Sequence, residues 1–144
     1  MAGAGTIFRG AIADVIGVSP PDNSRRDRRR RLRRVFHRTI DPQYRRRQRH
    51  TYFVGRRPHE VAELYAVTEN DVRRLDREWL GPPSLDWRGH DARGLQLSRV
   101  LLARVTGITP PREVAEQFAL SILADLPDDG FVLGSDEIWH WLRT

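Results

Sequence analysis

The stretch that decides the fold is LQLSRVLLARVTGITPPREVAEQFALSIL, residues 95–123. Apolar residues recur at helical spacing on both sides of its Gly-Ile-Thr-Pro-Pro break, which predicts two consecutive helices with one apolar face each. A glycine such as Gly107 is typical just after a helix, and the Pro110-Pro111 pair is typical of the start of the next one. We expect these helices, residues 95–105 and 114–123, to supply most of the hydrophobic core.

Short extended segments flank these helices. The residues Thr51-Tyr52-Phe53-Val54 are aromatic and β-branched and end at a glycine, which predicts a strand. Further segments are predicted at residues 61–68 (a strand whose early part also fits a helix), 71–79 (a strand or a helical turn), 85–87 (a strand), 131–133 (a short extended piece) and 135–142 (a last helix). The pattern predicts a compact α+β domain over residues 51–144, with a small antiparallel sheet packed by two or three helices.

Charge divides the chain into two parts. Every one of the 25 basic residues is arginine, and 16 of them stand in residues 1–57 against four aspartates, a net charge of +12. Residues 58–144 hold nine arginines against 15 acids, a net charge of −6. This asymmetry predicts an Arg-rich N-terminal arm, residues 1–50, that precedes a mildly acidic domain.

The segment 25–49 carries most of this charge, with 13 arginines and only Asp27 and Asp41 as acids. Four apolar residues share one face of a predicted helix: Leu32, Val35, Phe36 and Ile40. Because like charges four residues apart destabilise an isolated helix, we expect this helix to become ordered only when it meets an anion. The Asp41-Pro42 pair predicts its end.

The arginine tract predicts binding of DNA or RNA. Guanidinium groups bind phosphates bidentately, and many such contacts give affinity that ignores base sequence. The candidate nucleic-acid-binding residues are Arg28, Arg29, Arg30, Arg31, Arg33, Arg34, Arg45, Arg46, Arg47 and Arg49. Four aromatic or imidazole side chains between them are candidates for stacking on bases: Phe36, His37, Tyr44 and Tyr52. A solvated arm, or an arm that binds an acidic protein, remains an alternative.

Residues 6–17 carry a second apolar stripe. Ile7, Phe8, Ala11, Ile12, Val15 and Ile16 recur at helical spacing. One interpretation is a helix that docks on a partner or on a second copy, which makes the chain a protein–protein interaction module. The other interpretation is a loosely ordered stretch that precedes the true start of the protein.

Several kinds of chemistry are excluded or disfavoured. The chain has no cysteine, which excludes disulfides, thiolate zinc sites and thiol catalysis. The segment His59-Glu60-Val61-Ala62-Glu63 has a glutamate where the zinc-protease motif needs its second histidine. We interpret the loop 87–94, which contains His90 and Asp91, as a strand-to-helix connection rather than an anion site or catalytic pair. We therefore predict no catalytic residue, no metal, no cofactor and no enzymatic activity.

No apolar run reaches the length of about 20 residues that a membrane span requires. The first 18 residues lack both the early positive charge and the clear cleavage site of a signal peptide. We therefore expect a cytoplasmic protein.

Residues 51–142 resemble a small bacterial domain family of unknown function, seen in actinobacteria and their phages and mobile elements. The resemblance rests on Phe53-Val54-Gly55-Arg56, on the loop with Trp87, Gly89 and Gly94, on the helix that follows, and on the closing segment 131–142. Members usually have a glycine-richer loop with a proline at the helix entry, whereas here Arg93 and Leu95 bracket a single glycine. The family has no established activity, so the resemblance implies none for this chain.

Overall fold

The structure, a computed structural model, describes residues 23–78, 85–87 and 92–144. Its helices are α1 (Asn23–Thr39), α2 (Pro42–Arg47), α3 (Ala92–Thr106), α4 (Arg112–Ser121) and α5 (Ser135–Arg143). Its strands are β1 (Tyr52–Arg56), β2 (Glu63–Val67), β3 (Val72–Arg74) and β4 (Gly130–Gly134). Single 3₁₀ turns occupy Pro58–Glu60, Asp76–Glu78 and Leu123–Asp125.

The strands form one antiparallel sheet in the order β3-β2-β1-β4. The predicted α+β class is therefore confirmed. The segment 71–79, for which strand and helical turn were both open, contains both β3 and a 3₁₀ turn. The extended piece 131–133 lies in β4, where Phe131 is opposite Gly55 and Leu133 is opposite Phe53 of β1.

The predicted strand at residues 85–87 is wrong, because these residues adopt no regular secondary structure. Asp86 is buried and accepts hydrogen bonds from the Arg57 guanidinium (2.7 Å) and from the Trp87 backbone N–H (2.8 Å). The Trp87 indole N–H donates to the carbonyl of Pro127 (2.8 Å). These side-chain bonds hold the segment in place of a strand ladder.

One face of the sheet is buried in the core. Phe53, Leu64, Ala66, Phe131 and Leu133 point into it, as the two-residue period of a strand requires. The other face keeps Tyr52, Val72 and Val132 exposed. Gly55 leaves room for the ring of Phe131, which a Cβ at this position would overlap.

Helices α3, α4 and α5 complete the core. The two helices predicted from residues 95–123 are confirmed, and their buried side chains include Leu97, Leu101, Leu102, Val105, Val114 and Phe118. Gly107 follows α3 with φ +81°, a conformation that favours glycine, and its N–H donates to the Ala103 carbonyl. The last predicted helix is α5, which buries Ile138 and Leu142.

Helix α1 belongs to the same core. Phe36 and Ile40 are buried in the hydrophobic cluster that also contains residues of α3, α4, α5 and the sheet, and α1 packs against α4 and α5. We expected an arm that becomes ordered only on binding an anion, but the burial of Phe36 on α1 and of Ile40 directly after it packs this helix against the core. The core therefore extends into the segment that we assigned to the arm, across the predicted boundary at residue 50. The predicted helix at residues 6–17 lies outside the described residues.

Over the ranges that the structure describes, no helix is both long enough and apolar enough to cross a membrane.

Candidate nucleic-acid interface

Helix α1 carries most of the predicted binding residues on its surface. Arg28, Arg29, Arg30, Arg31 and Arg34 are exposed, and Arg33 is half-buried. Arg25, Arg26 and Arg38 were not among the predicted residues but are also exposed on α1. The helix therefore presents guanidinium groups along its whole solvent-facing side.

These guanidinium groups have no acidic partners within the described part of the chain. None of the arginines between residues 25 and 49 lies within 4.0 Å of a carboxylate there. The arginine–carboxylate pairs lie elsewhere, such as Arg57 with Asp86 and Arg74 with Asp76. The positive charge of α1 and α2 is thus available to an external anion.

Helix α2 carries three more of the predicted residues, Arg45, Arg46 and Arg47, and Arg49 lies two residues after its end. It begins after Asp41, whose carboxylate accepts the Gln43 N–H (2.9 Å) as an N-cap. The Tyr44 hydroxyl (3.3 Å) and the Gln48 side-chain amide (2.8 Å) both donate to the Arg104 carbonyl, and these bonds attach α2 to α3. The exposed side chains Arg46, Arg47 and Arg49 remain free for a ligand, whereas Arg45 is half-buried.

Two tryptophans of α5 position cations of both α1 and α2. The guanidinium carbon of Arg33 lies 4.9 Å from the ring centroid of Trp141, and that of Arg45 lies 4.7 Å from Trp139. Such cation–π contacts orient a guanidinium without neutralising it. Sequence reasoning missed both roles, because the tryptophans lie about 100 residues after the arginines and only the fold brings them together.

His37 lies beside one of these tryptophans, with its ring edge-on to Trp139 at 6.2 Å between centroids. Burial, followed by the charges of Arg45 and Arg143, lowers the pKa of His37 below its ordinary value. The imidazole therefore stays neutral to a lower pH than a solvated histidine, and it adds no charge to the surface at neutral pH.

Most of the predicted base-stacking side chains are engaged inside the protein. Phe36 is buried, so its assignment as a base-stacking residue is wrong. Tyr44 bonds to α3 and packs against Gly107, and His37 packs on Trp139. Tyr52 remains exposed, on the outer face of the sheet beside His50 (4.4 Å between ring centroids). The surface offers phosphate contacts far more than base contacts.

A small cavity of about 230 Å³, which we call the groove, lies between α1 and α4. It is lined by Arg26, Arg29, Arg30, Arg33, Gln117, Leu120 and Ser121, with no acid among them. Two wider cavities, of about 710 and 730 Å³, each include an aspartate in their lining. Arg26, Gln117 and Ser121 were not predicted. The spacing of the four arginines places them on one face of α1. No signal in the neighbouring sequence indicates that this face lies against α4.

Arg33 is the most constrained cation of the groove. Its terminal N–H donates to the Gln117 side-chain oxygen at 3.5 Å, and its Nε is buried without a hydrogen-bond partner. Burial, followed by the charges of Arg30 and Arg34, lowers the pKa of Arg33. The surroundings therefore disfavour this charge as long as no anion is bound.

The zinc-protease-like segment around His59 lies within the described residues and forms no metal site there. His59 and Glu60 form the turn between β1 and β2 with φ of 52° and 64°, and the described ranges hold no group of three or more His, Cys, Asp or Glu side chains placed for a metal ion. His90 and Asp91 lie outside the described residues, so the expectation that they form neither an anion site nor a catalytic pair stays a prediction. The strand half of the strand-to-helix interpretation is wrong, because residues 85–87 form no strand.

Comparison with known proteins yields no match to a family model, to a curated protein or to a solved structure. The resemblance to the actinobacterial and phage-associated family stays a prediction.

Proposed function

We propose that this chain is a non-enzymatic, cytoplasmic accessory protein that binds DNA or RNA electrostatically through the arginines of α1 and α2. One observation carries the proposal. A folded helix that is anchored in the core presents exposed arginines with no carboxylate partner in the described part of the chain. Polyanions of regular charge spacing are the natural complement of such a surface.

The docking of α1 makes this a different binder from a disordered basic tail. Seventeen helical residues span about 25 Å, a length over which duplex DNA offers many phosphates on either strand. Because α1 is already ordered, binding does not carry the entropy cost of folding the segment. The affinity then comes from phosphate contacts and counterion release.

Little base specificity is expected. Phosphate contacts position a protein on nucleic acid but carry no sequence information, and the stacking candidates Phe36 and Tyr44 are engaged in the fold. We therefore expect DNA duplexes of unrelated sequence to bind with similar affinity.

Fluorescence anisotropy with labelled duplex DNA and single-stranded RNA, measured over a range of salt concentrations, tests the proposal. We expect the logarithm of the affinity to fall linearly with the logarithm of the salt concentration. The slope for DNA should become less negative by about 0.9 for each phosphate contact removed. A flat plot for the wild-type protein would exclude phosphate contacts.

The test variant carries Arg31→Gln, Arg34→Gln and Arg38→Gln, three exposed positions of α1. The matched control removes the same charge elsewhere, at the exposed residues Arg56, Arg77 and Arg99. The proposal requires a clear loss of affinity and slope in the α1 variant and a much smaller loss in the control. Equal losses in both variants would mean that net charge, and not this surface, binds the nucleic acid.

The alternative function, a protein–protein interaction module, is supported by a different feature. The outer face of the sheet exposes one large apolar side chain on each of three strands, Val72 on β3, Tyr52 on β1 and Val132 on β4, and association with a second copy would cover them. Size-exclusion chromatography with light scattering on the wild-type protein and on Val72→Ser/Val132→Ser tests it. A dimer that the variant loses would support this function, and a monomeric wild-type protein would count against it.

A further inference from the structure

The groove brings four of the guanidinium groups of α1 together around one cavity. Four guanidinium groups of one helix face meet Gln117 and Ser121 of α4 around about 230 Å³. Like charges at this spacing repel one another, and no carboxylate in the lining compensates them. An arrangement of this kind is stabilised by a bound anion.

Arg33 gives the groove a fixed donor. Its guanidinium is held over Trp141 at 4.9 Å and against the Gln117 oxygen at 3.5 Å, so its direction is set before any ligand arrives. A side chain that is already oriented loses less entropy on binding than a solvated one. The other three arginines are exposed and reach the same cavity from neighbouring turns of α1.

The chemistry of the lining favours a phosphate group. Guanidinium groups match the geometry of phosphate oxygens and bind them bidentately, and the Ser121 hydroxyl and the Gln117 amide add neutral hydrogen-bonding groups. The volume suits a single phosphate with its ester linkages and is too small for a base pair or a folded segment of protein.

We propose that the groove between α1 and α4 anchors one phosphodiester of the nucleic-acid backbone. This inference rests on the proposed function and adds a defined site to it. The outward-facing arginines contribute diffuse attraction, whereas the groove fixes the position of the strand on the protein. Its arginines should therefore contribute more affinity per residue than the outward ones.

A pair of charge-matched variants of α1 tests the inference. The groove variant carries Arg29→Gln and Arg30→Gln, and the outward variant carries Arg31→Gln and Arg34→Gln. At about 0.15 M salt we expect the groove variant to bind duplex DNA at least tenfold more weakly than the outward variant. None of these four side chains reaches the core, and circular dichroism verifies that both variants stay folded. Equal affinities of the two variants would overturn the groove while leaving the proposed function intact.

A further variant, Arg33→Lys, keeps the charge but removes the planar guanidinium. We expect a several-fold loss of DNA affinity with little change in the salt slope, because the number of cations is unchanged. An affinity equal to that of the wild-type protein would argue against a bidentate contact at this position. The groove variant decides the outcome if Arg33→Lys fails to fold.

Calorimetric titration with pyrophosphate separates the groove from the proposed function. We expect pyrophosphate to bind the wild-type protein and the outward variant, and to bind the groove variant at least tenfold more weakly. The wild-type protein could bind pyrophosphate at least tenfold more tightly than the groove variant and yet bind neither DNA nor RNA. In that case the proposed function fails, and the groove is a site for a free phosphate ligand. If pyrophosphate does not discriminate between the variants, the groove is not a phosphate site.

Discussion

Replacing Phe36 with alanine tests whether the arginine helix is part of the folded core. The Phe36 side chain is only 4% exposed and lies in one hydrophobic cluster with residues of α4 and α5. Truncation of a buried phenylalanine to alanine costs about 3–5 kcal/mol. Because Phe36 is the one fully buried side chain among the described residues of α1, we expect a loss at the lower end of this range, about 3 kcal/mol. A loss of this size lowers the melting temperature by roughly 10 °C in a domain of this length.

Urea unfolding followed by two probes measures this effect. Far-UV circular dichroism reports the helices, and tryptophan fluorescence reports α5 and the segment around Trp87. The wild-type protein and Phe36→Ala should each show coincident transitions by the two probes, shifted to lower urea in the variant. The control is Val35→Ala, the neighbouring residue on α1, whose side chain is 50% exposed and whose truncation should cost less than about 0.5 kcal/mol.

Two results would refute the reasoning. A Phe36→Ala variant as stable as Val35→Ala would mean that α1 does not share the core. A variant that loses helical signal while its tryptophan transition is unchanged would mean that α1 docks as a separate unit. Either result would restore the interpretation of this segment as an independent arm.

Three further predictions concern the rest of the fold. Leu101→Asp and Phe118→Asp should each unfold the protein, because both positions are completely buried and the new carboxylate would have no partner there. Normal thermal unfolding of either variant would contradict the core assignment. Asp86→Ala should lower the free energy of unfolding by about 3 kcal/mol, since it leaves the Arg57 guanidinium buried without its carboxylate; combining it with Arg57→Met should recover much of the loss in the same urea titration. The free energy of unfolding should fall as the pH drops below about 6.5, because the pKa of His37 is lower in the folded protein than in the unfolded chain, which therefore binds a proton first. The variant His37→Gln should show a weaker pH dependence of stability. A pH profile equal to that of the wild-type protein would contradict this prediction.

The helices α3, α4 and α5 follow from the sequence because their signals are local. Apolar residues three and four positions apart define a helix face within a few turns, and the Gly107 and Pro110-Pro111 signals mark where one helix ends and the next begins. Strands β1 and β2 are likewise visible as short aromatic and β-branched runs. The density of arginines in residues 25–49 is also a property of the sequence alone.

The segment 85–87 shows where local signals end. Its apolar and aromatic residues fit a strand, but Asp86 forms an ion pair with Arg57, 29 residues earlier in the chain, and Trp87 bonds to Pro127. A buried carboxylate must be paired and hydrogen-bonded, and its partner here comes from a distant part of the chain. The conformation of this segment is therefore set by the tertiary structure and not by a local strand pattern.

By itself, the sequence determined the α+β class, the helices of the core and the concentration of positive charge before residue 50. Only the tertiary structure decided that Phe36 and Ile40 join the core, and that Arg33 meets Gln117, 84 residues further along the chain. The physical reason is that helical periodicity and charge density depend on neighbours within a few turns. Whether an apolar stripe is buried, and which side of an arginine helix becomes a groove, depends on surfaces that only the complete fold brings into contact.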